Sequence, residues 1–113
     1  MPMKMDTWMV SRNYKDLVLP IAKKVIKEAV NQNRLKGRIK VSEFFGRIHI
    51  AKEHAKAVAQ IIKPEYSGAT EAQGKSILYW TMCSMSDEEI LAFLGSKYHL
   101  LDYRGDRCIV CPI

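Results

Sequence analysis

The chain has 113 residues, 48% of them apolar and 27% charged, which supports one buried core and excludes a disordered chain or room for a second domain. No stretch approaches the length of a bilayer span, and residues 1–12 hold no apolar run of signal-peptide length, so a cytoplasmic protein without membrane association is expected. The formal net charge of +6 is unevenly placed, with 14 Lys and Arg against 5 Asp and Glu in residues 1–63, but 4 against 7 in residues 64–113.

Residues 6–11 (DTWMVS) read as a short strand or an arm, with Trp8 and Val10 on one side and Thr7 and Met9 on the other. From residue 16 to 35, Val18, Ile21, Ala22, Val25 and Ala29, with Ile26 and Val30 alongside, recur at helical spacing. Pro20 is compatible with this helix if it falls in the first turn. Lys23, Lys24, Lys27 and Gln32 face outward, and Gly37 is the expected stop, with Lys36 near the negative end of the helix dipole.

Residues 38–41 alternate polar and apolar and predict one short strand, after which Ser42 is placed to cap a helix. Phe44, Phe45 and Ile48 form a short apolar face, His49 and Ile50 interrupt it, and a second helix buries Ala55, Val58, Ala59 and Ile62. The opposite face of that second helix carries Lys52, Glu53, His54, Lys56, Gln60 and Lys63. Two short helices joined by a turn, the second with a mostly basic outer face, suit the placing of side chains in a major groove.

Pro64 stops this helix, and the following stretch reads as a hairpin: residues 67–74 are small and flexible, and residues 77–82 are β-branched and aromatic in bias. Ser86 and Glu89 are spaced as a capping box for a further short helix, which Gly95 ends. The remainder predicts two strands around a turn at Arg104, Gly105 and Asp106, finishing at Pro112. A terminal hairpin of this kind can pair with another copy of itself, so a homodimer is expected.

The run Val41-Ser42-Glu43, an apolar residue followed by a capping hydroxyl and an acid, then a turn and a basic-faced helix, resembles helix 2, turn and recognition helix of the winged helix-turn-helix family. Where such proteins usually carry glycine at the turn this chain has His49, which tolerates a left-handed backbone less well. The resemblance implies a single α+β domain over residues 1–113. It would consist of a three-helix head at 12–63, a β-hairpin wing at 64–82, and a C-terminal short helix and hairpin at 86–113. It further implies a transcriptional regulator that binds double-stranded DNA through the helix at 51–63. Lys52, Lys56 and Lys63 would reach phosphates, His54 and Gln60 base edges, and Arg38, Lys40 and Arg47 the flanking backbone. The charge asymmetry agrees, because each neutralised phosphate releases counterions. Ala55, Ala57 and Ala59 supply few base-reading groups, so modest sequence specificity is expected. The wing at 64–82 would offer Glu71 and only Lys75, hence a weak contact or a wing used for a partner instead. The competing expectation is a non-enzymatic helical adaptor or subunit of a protein or nucleoprotein assembly, its lysines merely solvated.

Other chemistries fit less well. Gly68 to Lys75 resembles a phosphate-binding loop but has five residues between its glycines where four are needed, and a strand is expected after it. Cys83, His99, Cys108 and Cys111 offer a zinc donor set, yet Ile109 and Val110 favour a strand that sends Cys108 and Cys111 to opposite faces. Buried free thiols are the expectation. His49 and His54 lie near Glu53 without a triad or paired carboxylates, so no enzyme, metal, cofactor or small-molecule ligand is expected.

Overall fold

The computed structural model describes residues 14–32, 34–64 and 67–112; the strand or arm expected over residues 6–11 lies outside them. Helix α1, Tyr14–Gln32, buries Tyr14, Val18, Ala22, Val25 and Ile26, the stripe that its apolar spacing requires. Because α1 is already helical at Tyr14, Pro20 falls beyond the first turn. It has no N–H to give the Asp16 carbonyl, and both residues are exposed to water. The helix ends at Gln32, short of residue 35, and Gly37 instead supplies a left-handed turn at φ +79° before the first strand. The Gly37 carbonyl accepts the Cys111 N–H at 2.9 Å, which fastens the chain end to that turn.

Strand β1, Arg38–Lys40, points Ile39 inward and runs directly into helix α2, Val41–Arg47. Ser42 therefore lies inside the first turn and does not cap it; Lys40 holds the cap position and no side chain bonds there. Burial of Val41, Phe44 and Phe45 sets where this helix begins, the two rings meeting edge to face at 5.5 Å between centroids. Helix α3, Lys52–Ile62, buries Ala55, Val58, Ala59 and Ile62 as expected. The link between α2 and α3 is extended, with Ile48 at φ −72°, ψ 150° and Ala51 at φ −62°, ψ 146°. Positive φ occurs, among the described residues, only at Gly37, Gly95, Arg104 and Gly105, so His49 needs no left-handed backbone. An extended link takes the place of the tight turn that glycine serves.

Residues 71–82 correct the sequence expectation. They form a helix, α4, Glu71–Cys83, where a hairpin wing was expected. Thr70 and Gln73 make a complete capping box: Gln73 N–H donates to Thr70 Oγ1 at 3.3 Å, and Thr70 N–H to Gln73 Oε1 at 2.7 Å. Gly74, Ile77, Leu78, Thr81 and Met82 are buried at helical spacing, so burial against α1 and α3 overrides the strand preference of Ile77 and its neighbours. The buried Thr81 hydroxyl donates to the Ile77 carbonyl one turn back, at 2.8 Å. At Gly74 the two helices meet backbone to backbone. A Cβ there would lie well inside contact with the Ala55 carbonyl oxygen and 3.0 Å from the Ala59 nitrogen. Only glycine opposite alanines permits so close a crossing.

Helix α5, Asp87–Leu94, carries the expected capping box of Ser86 and Glu89 and the expected stop at Gly95, φ +101°. Strands β2, His99–Tyr103, and β3, Asp106–Val110, enclose a two-residue turn in which Arg104 (φ 54°) and Gly105 (φ 87°) are both left-handed, the form that matches strand twist. The sheet is antiparallel in the order β1-β3-β2, with Ile39 opposite Ile109 and Ile109 opposite Leu100. Ile39 and Ile109 are buried on the helix-facing side. Arg107 of β3 ties sheet to helices: its guanidinium donates to the Cys83 carbonyl at 2.9 Å, the Met85 carbonyl at 3.0 Å and Asp87 at 2.9 Å. The chain is thus α+β, with five helices among the described residues and a small sheet closed by the C-terminal hairpin. No helix among them is long and apolar enough to cross a membrane.

Candidate nucleic-acid interface

Burial of Ala55, Val58, Ala59 and Ile62 against α1 and α4 dictates which side of α3 faces water. Lys52, Lys56, Gln60 and Lys63 fall on that side at intervals of three or four residues, together with Glu53, and all are exposed. At 1.5 Å per residue the stripe is about 16 Å long. None of its three lysines forms an ion pair among the described residues. Ala51, at the cap position, has no side-chain acceptor; its carbonyl takes the His54 N–H at 3.0 Å, and the first amides of α3 have no side-chain cap. The positive end of the helix and Lys52 therefore reinforce one another as an anion-attracting terminus.

His54, expected among the base-reading residues, does not join the stripe. Its Nε2 lies 2.8 Å from Glu28 Oε2 and its side chain is only 12% exposed, so it ties α3 to α1. Arg38 and Lys40 belong to β1 and Arg47 to α2, each with a partner of its own. The Arg38 guanidinium lies 3.7 Å from the centre of the Tyr103 ring, Lys40 is 3.4 Å from Asp106, and Arg47 is 3.7 Å from Glu43 one turn earlier. Every side chain of the last two pairs is at least half exposed, and such pairs are worth about 0–1 kcal/mol, so Lys40 and Arg47 can exchange their carboxylates for a phosphate at little cost.

A shallow cleft lined by Lys40, Val41, Ser42, Gly105 and Asp106 places the hairpin turn beside the start of α2. Arg104, exposed at that turn, is a cation that sequence reasoning passed over. Its signal was available, since an arginine before glycine between two apolar strands sits at the tip of a hairpin. Glu71 and Lys75, expected at the wing, lie on α4, with Glu71 in the first turn where its charge favours the helix dipole.

The remaining candidates are structural. Gly74 belongs to α4 and packs on α3, so the glycine spacing forms no phosphate loop even though a helix, and not a strand, follows it. Cys83, Cys108 and Cys111 are free thiols, and burial pushes Cys83 and Cys111 above the ordinary thiol range, the opposite of an activated nucleophile. No three His, Cys, Asp or Glu side chains among the described residues are grouped to hold a metal ion. No protein-family model, curated protein or solved structure matches this chain.

Proposed function

We propose that the protein is a winged-helix DNA-binding protein and transcriptional regulator that lays α3 in the major groove of duplex DNA. The observation that carries this reading is the stripe of Lys52, Lys56 and Lys63 without ion-pair partners among the described residues, with Gln60 among them, on the outward side of a helix whose N-terminus is uncapped. The order of elements supports it: helix, strand, short helix, extended link and basic helix, then a hairpin whose second strand lies between β1 and β2. In this reading the wing is the hairpin β2–β3 with Arg104 at its tip, and α4 and α5 are inserted between recognition helix and wing. The lysines bind phosphates, Gln60 reads a base edge, and Lys40 and Arg104 hold the backbone beside the start of α2. With one base-reading side chain on α3, sequence discrimination is modest.

Titration of duplex DNA against salt tests the reading. The affinity should fall steeply with salt, and Lys52→Ala and Lys56→Ala should each reduce the logarithmic slope by about 0.9, one phosphate contact apiece. Binding that is undetectable even at low salt, or a slope unchanged by both substitutions, refutes it and leaves the lysines as solvated charge on a helical adaptor.

A further inference from the structure

The two edges of the sheet differ in kind. The β1 edge is three residues long, two of them the charged Arg38 and Lys40, which are features that discourage pairing with another strand. The β2 edge is five residues long, HLLDY, with Asp102 as its one charge and neither proline nor lysine. Leu101 and Tyr103 are each 38% exposed there.

The turn settles which backbone groups of β2 are free. Tyr103 and Asp106 flank a two-residue turn and so form a pair that exchanges both its hydrogen bonds. By alternation Leu101 and His99 also bond to β3, opposite Cys108 and Val110, and the N–H and C=O groups of Leu100 and Asp102 point away from the sheet. The Cys111 N–H reaching Gly37 on the other edge follows the same alternation along β3.

We propose that β2 is a homodimer interface, on which β2 of a second copy of this chain pairs antiparallel about a two-fold axis at Leu101. In that register Leu100 lies opposite the partner's Asp102, so the outward groups of both strands meet and make four hydrogen bonds across the axis. Leu101 meets the partner's Leu101 in the close, non-hydrogen-bonded position, and Tyr103 lies opposite the partner's His99, which covers the exposed apolar side chains. An axis at Asp102 would set two carboxylates directly opposite each other, and one at Leu100 would set Tyr103 against Lys97, beyond the end of the strand. The interface is isologous and closes on itself, joining two three-stranded sheets into one. It makes no use of the α3 lysines and holds whether or not the protein binds DNA.

The test is the mass of the full chain by light scattering or sedimentation over a concentration series without DNA. A species of twice 13.0 kDa that dissociates on dilution is expected. Asp102→Pro removes an outward N–H that the protein's own sheet does not use, and Leu101→Lys sets like charges face to face at the axis without touching the backbone. Both should run as monomers, with circular dichroism reporting an intact fold; if the proline variant does not fold, the lysine variant decides. A wild-type monomer at every concentration, or a dimer that survives substitution in a folded variant, overturns the proposal.

Discussion

Replacing Gly74 with alanine tests the backbone contact at which α3 and α4 cross. The added Cβ would meet the carbonyl oxygen and carbon of Ala55 and the nitrogen of Ala59, all backbone atoms within α3, so no side-chain rotation relieves the clash. The helices must part by roughly 1 Å, loosening a core packed at crystal-like density. Val58, Ile62, Ile77 and Leu78, each at most 1% exposed, lose contact as they do. Overpacking costs about 1–3 kcal/mol, and a backbone clash belongs at the upper end or beyond. Alanine returns about 1 kcal/mol of helix propensity, leaving a net destabilisation of about 2–3 kcal/mol. That corresponds to a fall in Tm of about 10–20 °C for a domain of this size. Urea unfolding followed by circular dichroism measures it. Gly46→Ala is the control: it too lies inside a helix, but its Cβ would meet only Tyr79 Cε1 at an ordinary 3.8 Å, so a gain of about 0.5–1 kcal/mol is expected. If Gly74→Ala also raised stability, the crossing would be looser than described and the reasoning would fail.

Two further outcomes follow from the polar contacts. Arg107→Ala strips the Cys83 and Met85 carbonyls of their shared donor where α4 turns into α5, and equilibrium unfolding should record a loss of about 1–3 kcal/mol; a loss below half a kilocalorie would mean that water replaces the guanidinium freely. The Glu89 carboxylate accepts the Ser86 N–H and lies beside Lys15, the amide bond first and the lysine after it holding its pKa below the ordinary carboxylate value. A group whose folded pKa is lowered contributes stability above its unfolded pKa and loses it as pH falls through the folded one. Glu89→Gln should therefore flatten the acid limb of a stability-against-pH curve and leave the relative change between neutral and mildly alkaline pH unaltered.

Residues whose structure depends on near neighbours in the chain were legible in the sequence. The stripes of α1 and α3, the Ser86 and Glu89 box of α5, and the Arg104-Gly105 turn each rest on interactions within a few residues, and each forms where that pattern places it. The exposure of Lys52, Lys56 and Lys63 follows from the same periodicity, since burying Val58 and Ile62 turns those lysines outward. Helix α4 shows the limit. The Thr70 and Gln73 spacing of a capping box goes unread inside a stretch that reads as a flexible loop, Ile77 to Met82 read as strand by composition, and burial against α1 and α3 decided for helix. Nothing local chose between His54 reading a base and His54 bonding Glu28, 26 positions earlier. Likewise Gly74 served equally as loop residue or contact point until Ala55 and Ala59 came to face it, and β1 found its partner strand more than sixty residues away. Such pairings depend on which surfaces meet when the chain collapses, and spacing along the sequence does not encode that.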